Sequence, residues 1–330
     1  MSPPTSSMRR TSAPIMVADK ERTNKTACRE IVRSIVEREG KKRAKRFLSR
    51  LPENTGTLLE LDHLFFISIC VAVGAVTGFL GGLLGIGGGV IVVPALIILF
   101  DVMDLFPSTR FPANTGTLLA VGTSLSTIIF TTASAAYSQI RRDMVEWLVV
   151  RRWVVFLSLG SLGSSYVASS LSDTFLKTFI AALVLFVACV MLTSWKPSPR
   201  RDLPGRFLSA LLGSIGGMVA GIAGIGGANI VVPTLIYYNA PILRATATAS
   251  AVGPAIALFG TIGYIYHGME IEVPNAWGFI YLPATVSIVI ASVLVAPLGV
   301  RTAHKLPSAR LRKAFGVLMI IVALRVVWSI

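Results

Sequence analysis

Gly85, Gly87, Gly88 and Gly89 stand inside an otherwise apolar run that begins at Gly78 and reaches Pro94, where a membrane helix should be most regular. Glycine exposes the backbone and tolerates positive φ. In hydrocarbon, an N–H or C=O freed by such a break costs several kcal/mol unless protein, water or substrate satisfies it. A break of this kind belongs at a cavity, and the N-terminus of the half-helix that follows can face an anion. The same text returns 139 residues later, from Gly217 to Pro233, with Gly224, Gly226, Gly227 and Asn229 in the corresponding stretch. Aligning 78–97 with 217–236 gives 12 identities in 20 positions without a gap, so the break is an internal repeat rather than a chance run of small residues. Asn229 interrupts the apolar text at a half-helix start, where the first copy has Val90.

A second set of chemically able residues is hydroxylic. Thr123, Ser124, Ser126, Thr127, Thr131, Thr132 and Ser134 share one apolar stretch, and its counterpart carries Thr246, Thr248, Ser250 and Thr261. Hydroxyls and amides can hold an oxyanion without placing a charge at bilayer depth, where charge is costly. Both sets also have plainer readings. Gly74/Gly78/Gly82 and Gly213/Gly217/Gly221 have the small-xxx-small spacing of close helix packing, and buried Ser and Thr often bond back to their own helix. The packing reading is preferred for those upstream glycines and the site reading for the repeated Gly-Ile-Gly-Gly core. The expected substrate contacts are Gly85, Gly87, Gly88, Gly89, Thr123, Ser124, Gly224, Gly226, Gly227, Asn229 and Ser250. Pro94, Pro233, Gly253 and Pro254 are the expected hinges, with Gly253-Pro254 breaking a helix of the second half.

The elements that must carry these residues are membrane spans. The chain has 330 residues, 53% hydrophobic and 14% charged, with a mean hydropathy of +0.71. Soluble domains are about 25% charged, and uncharged apolar runs of about 20 residues are span candidates. The expectation is an all-α polytopic membrane protein of about ten hydrophobic segments in two pseudo-symmetric halves. The net charge of +15 does not point to nucleic acid. Outside the N-terminal tail the basic residues sit in short loops, which is the positive-inside pattern. Cys28, Cys70 and Cys189 have no metal or redox spacing. No mid-span carboxylate offers proton coupling, and no phosphate-loop, His-Glu-x-x-His or Gly-x-Ser-x-Gly motif is present. Neither a catalytic residue nor a metal or cofactor site is expected, and the chain does not read as an enzyme.

Residues 1–62 read as a soluble, partly disordered tail with 14 Lys/Arg against 8 Asp/Glu. Within it Lys41, Lys42, Arg43, Lys45 and Arg46 could meet anionic lipid headgroups. The first repeat is placed at 63–195, the cytoplasmic linker at 196–206 and the second repeat at 207–330. Apolar runs are read at 63–84, 90–106, 113–139, 153–171 and 174–195, then 207–223, 228–238, 245–266, 276–297 and after 313. Ten crossings put basic loops 141–152, 196–206 and 301–313 inside and the Glu270/Glu272 loop outside, with the halves inverted. Eight crossings, with the two short segments re-entrant, are the alternative, and that model puts loop 301–313 on the wrong side.

The first glycine run, then Gly122-Thr123-Ser124-Leu125, Tyr137, Arg141-Arg142 and Trp147, together with the second Gly-Ile-Gly-Gly copy, resemble the TauE/SafE family of sulfite exporters. The resemblance runs from about residue 63 to 330. It implies transport of sulfite, sulfonates or related small anions across the cytoplasmic membrane. The long basic tail is outside the family core, and Ala249-Ser250-Ala251 stands where Gly-Thr-Ser would be sought. The expected partners are a small anionic substrate and the lipid bilayer, with no nucleic acid; the oligomeric state is left open. A passive anion channel and a scaffold acting through its basic tail are the rival readings.

Overall fold

The computed structural model describes residues 54–84, 87–103, 110–192, 206–226 and 240–303, with a few positions at 105–106, between 231 and 238, and between 305 and 324. Phe65–Ile330 form one compact unit and Met1–Leu64 a second. Among the described residues there are eight helices: α1 (Asn54–Leu84), α2 (Gly89–Val102), α3 (Thr115–Ile140), α4 (Trp147–Ser169), α5 (Asp173–Leu192), α6 (Arg206–Ile222), α7 (Ile242–Gly268) and α8 (Leu282–Ala303). Stretches of α1, α3, α7 and α8 are long and apolar enough to cross a bilayer, and α2 and the Ser209–Ile222 part of α6 are shorter apolar helices.

Polarity is distributed inside out, as lipid demands. On α8, Leu282, Val286, Ile290, Leu294 and Leu298 are exposed at every fourth position, while Ala284, Ile288 and Ser292 on the opposite face are buried. Such an apolar stripe would be an aggregation hazard in water and is a lipid-facing surface in a membrane. The buried side of α3 is instead hydroxylic. Thr127, Thr131 and Thr132 bond back to carbonyls of their own helix, so their polarity is met within the segment, as the plainer reading expects.

Glycine contacts set the helix pairing. A Cβ on Gly74 would meet the Ile288 carbonyl, one on Gly78 the Ser292 carbonyl, and one on Gly82 the Ala296 carbonyl. The second copy repeats this on another partner, with Gly213 on Phe156, Gly217 on the Leu157 carbonyl and Gly221 on Ser164. The upstream glycines therefore do serve close packing. α1 and α8 run parallel, and so do α6 and α4. Ser126 meets Thr285, Thr131 meets Ser292 and Ser134 meets the Val293 carbonyl, so α8 is also parallel to α3. Gly122 meets Tyr264 whereas Gly253 meets Thr132, so α7 runs antiparallel to α3. α4 runs with α7, as Gly260 lies on Ser161 and Gly263 on Ser165.

Three sequence expectations need correction. α4 starts at Trp147, so Arg151 and Arg152 are exposed residues of its first turns rather than loop residues; arginine is a good helix former whose long stem lets the charge reach water. The run expected from Ala276 starts as a two-stranded hairpin, with Ala276 paired to Tyr281 and Trp277 to Ile280, and the helix follows from Leu282. Gly278, at φ +58°, takes the first place of its two-residue turn. Finally, α7 is helical straight through Gly253-Pro254. The proline leaves the Ser250 carbonyl without its usual i+4 donor, and Gly253 packs closely on Thr132 of α3.

Candidate functional site

The first break is built as its sequence demands. α1 ends at Leu84 and α2 starts at Gly89, and between them Gly87 and Gly88 both hold φ +75°. Only glycine adopts that region without a Cβ penalty of about 1–2 kcal/mol. Gly88 stands before the first residue of α2, and its carbonyl accepts from the Ile91 and Val92 N–H groups at 3.0 and 3.2 Å. The first N–H groups of α2 have no partner within the helix, and the positive end of its dipole lies here. The second break repeats the left-handed glycine at the matching position: α6 ends at Ile222, and Gly226, the counterpart of Gly87, holds φ +65°, with Gly224 at φ +67°.

The two breaks, far apart in sequence, meet. A Cβ on Gly89 would stand 2.5 Å from the Gly224 carbonyl oxygen and 3.2 Å from the Ile225 Cα. A Cβ on Gly224 would stand 2.7 Å from Val93 Cγ2 of α2 and 3.2 Å from the Val121 Cα of α3. Ile128, fully buried in the middle of α3, is the wedge between them: its side chain lies against Gly87, Gly89 and Gly226. Thr132, one turn on, lies against Gly87 and Gly253. Thus Gly87, Gly89, Gly224 and Gly226 converge on the middle of α3, Gly253 of α7 packs on the same helix, and Gly88 lies against Thr77 of α1.

The hydroxyls divide by partner. Ser124 Oγ donates to the Gly224 carbonyl at 2.9 Å, tying α3 to the second break. Thr123 Oγ1 accepts the Tyr281 N–H at 2.9 Å and so anchors the hairpin. Both are buried and already engaged with the protein. Ser250 is different: it is buried, and its Oγ has no hydrogen-bond partner. Pro94 is buried inside α2, and Pro254 lies inside α7. Gly85, Gly227, Asn229 and Pro233, like Lys41, Lys42, Arg43, Lys45 and Arg46, lie outside the described residues.

Toward the N-terminal end of α3, aromatic rings and an ion-pair cluster pack together. Tyr281 makes edge-on ring contacts with Phe66, Phe100 and Phe106 at 5.7, 5.7 and 5.6 Å. At the same end Lys177 Nζ lies 3.1 Å from both Asp101 Oδ2 of α2 and Asp173 Oδ2 of α5, and Thr117 of α3 donates to Asp173 at 2.6 Å. This cluster pins the far end of the half-helix α2. The sequence reading did not single out Ile128, Tyr281 or Lys177. Ile128 carries no signal, being one apolar residue among many, whereas Lys177 sits as a lone charge in an apolar run and was open to notice. Among the described residues no group of His, Cys, Asp and Glu is arranged to hold a metal. The arrangement offers backbone N–H groups, a helix dipole and uncharged hydroxyls around two helix breaks.

Comparison with known proteins agrees on the kind of molecule. A family profile described as "Sulfite exporter TauE/SafE" matches residues 70–326. A "Probable membrane transporter protein" of Haemophilus influenzae is 31% identical over 262 residues, covering 78% of this chain and 97% of the relative. A relative of the same description from Methanocaldococcus jannaschii is 27% identical, covering 77% of this chain and 92% of its own. A third, from Bacillus subtilis, is 24% identical over 63% of this chain and 84% of its own. No solved structure matches.

Proposed function

The chain belongs to the TauE/SafE sulfite exporter family of membrane transporters, and from that membership we propose that it is a secondary transporter exporting sulfite, sulfonates or related small anions across the cytoplasmic membrane. The observation that carries this reading is the meeting of the two broken-helix loops, Gly89 against Gly224, inside the protein. Broken helices with freed backbone groups are tolerated at depth where protein or a cavity satisfies them, and half-helix N-termini there suit anionic substrate groups. Gly85, Gly87, Gly88, Gly89, Gly224, Gly226 and Gly227 present N–H groups to the anion. Ser250 and Asn229 contact it directly, and Thr123 and Ser124 hold the surrounding loops in position. Pro94, Pro233, Gly253 and Pro254 are the hinges.

The same proposal takes the halves, 63–195 and 207–330 about the linker 196–206, as inverted repeats with ten crossings. Its support is the helix directions: α1, α3 and α8 run one way and α4, α6 and α7 the other. Three helices of the first half thus oppose their counterparts, α1 with α6, α3 with α7 and α4 with α8. Rocking of one unit against the other around the crossing of the breaks gives alternating access. Residues 1–62 are an appendage whose basic cluster, Lys41 to Arg46, rests on anionic lipid.

Proteoliposome uptake over sulfite, sulfonates, thiosulfate and small carboxylates tests the reading. At least one anion should show saturable flux and counterflow, which a passive channel lacks. Gly87→Val and Gly226→Val should abolish that flux while the protein stays in the membrane. Wild-type flux in both variants refutes the site.

A further inference from the structure

The end of the molecule that carries Glu270 and Glu272, outside in the proposed topology, is closed by residues from both halves. Tyr281 of the hairpin belongs to the second half and is buried. Its ring stands edge-on against Phe66 of α1, Phe100 of α2 and Phe106, all of the first half. Phe100 in turn meets Phe106 at 5.0 Å. Edge-on ring pairs add an electrostatic attraction to ordinary burial, so this layer resists separation of the two halves.

The layer is tied to the breaks. Tyr281 N–H donates to Thr123 Oγ1 at 2.9 Å, and the next residue of α3, Ser124, donates to the Gly224 carbonyl at 2.9 Å. Asp101 follows Phe100 in the last turn of α2, and it meets Lys177 at 3.1 Å. Lys177 reaches Asp173 at the same distance. The half-helix that starts at the first break therefore ends in the ring layer and in an ion cluster.

Two features set this end apart from the other. Carried four residues past 97 and 236, the repeat sets Asp101 against Ala240, so the second copy has no acid there. The ion pair at the opposite end, Arg244 with Glu146 at 2.8 Å, has side chains 49% and 37% exposed, whereas the Lys177 side chain is 11% exposed. Exposed pairs hold weakly, whereas parting a shielded pair strands a charge that water meets poorly.

We propose that Tyr281 is the outer gate residue of the transport path, closing on Phe66, Phe100 and Phe106, with the Asp101–Lys177–Asp173 cluster as its latch. As a gate it rests on the transport reading above; as a closure it stands on these contacts alone. Each cycle must part the rings and free the end of α2 before an anion at the breaks can leave. Cys70 is a built-in reporter of that opening. It is buried on the same face of α1 as Phe66, one turn further in, and it is the only thiol left after Cys28→Ser and Cys189→Ser.

The full chain with those two changes, in right-side-out vesicles, is treated from outside with an impermeant methanethiosulfonate, and the labelling rate of Cys70 is measured. The parent should label slowly. Tyr281→Ala should raise the rate about tenfold or more, through the loss of three ring contacts, and Tyr281→Phe, which keeps the ring, should not. Asp101→Asn changes a partly exposed side chain and should raise the rate about fivefold, as expected for one such ion pair. Arg244→Gln, at the other end, should leave it at the parent value.

Equal rates in the parent, Tyr281→Ala and Asp101→Asn overturn the gate. An equal rise in Arg244→Gln overturns it too, because it marks general loosening, and labelling only in inside-out vesicles overturns the assignment to the outer end. The two readings fail separately. Saturable anion flux in a protein whose Cys70 rate ignores Tyr281→Ala removes the gate and leaves transport. The expected rates in a protein that moves no anion leave the closure standing and remove the transport reading.

Discussion

Ile128 offers a test of whether the two breaks are held by one wedge or merely lie near it. Gly226→Ala adds a methyl whose nearest neighbours are all atoms of Ile128, at 2.7, 3.3 and 3.7 Å, and it must also hold φ +65°. The left-handed conformation costs about 1–2 kcal/mol, and the overpacking adds about 1–3 kcal/mol. Ile128→Ala alone should cost about 2–5 kcal/mol through the cavity it leaves. In the double variant the new methyl grows into that cavity and the clash is gone. The double should therefore be less destabilised than the sum by about 1–3 kcal/mol, well above the 0.3–0.5 kcal/mol within which independent sites add. Gly89→Ala is the control. Its methyl also meets Ile128, but it stands 2.5 Å from the Gly224 carbonyl and 3.2 Å from the Ile225 Cα, which no change at Ile128 removes. Its clash should persist in the Ile128→Ala background, and anion flux should stay lost. Thermal unfolding of detergent-purified variants gives the stabilities, and proteoliposome flux gives the function. If Gly226→Ala and Ile128→Ala prove additive, or if Ile128→Ala rescues Gly89→Ala equally well, the wedge geometry is refuted.

Three further outcomes are expected. Gly217→Leu, facing the Leu157 carbonyl, should separate α6 from α4 and reduce the amount of folded protein seen by size exclusion, whereas Gly116→Ala, with open space around it, should leave it unchanged. Lys177→Met removes the cation that holds Asp101 and Asp173 and should cost about 1–3 kcal/mol, between the values for exposed and buried pairs; the drop in Tm measures it, and an unchanged Tm shows that the cluster does not pin α2. Deleting Met1 to Arg50 should leave proteoliposome flux at the wild-type rate, and its loss would favour the scaffold reading.

Membrane residence, the repeat and the helix breaks were all legible in the residues, because each rests on local chemistry. An apolar run of about 20 residues has one favourable solvent, and a glycine at φ +75° has no substitute of equal cost. Gly78 and Gly217 were likewise readable as packing residues from their spacing alone. The hydroxyls were legible as a class but not in their roles. Ser124, Thr123 and Ser250 look alike in sequence, yet one ties down Gly224, one anchors the hairpin and one has an oxygen to spare. Which role a hydroxyl takes depends on what lies across from it, and those partners are 100 or more residues away for Ser124 and Thr123.

The chain alone marked the two glycine breaks and their kind, and it marked a third at Gly253-Pro254 where the helix in fact runs on. It did not determine that the two glycine breaks touch or that Ile128 fills the space between them. Close approach of two glycines is a relation between elements: each lacks a side chain whatever its surroundings, and only packing of α3 against both halves decides that the missing atoms were missing at the same place.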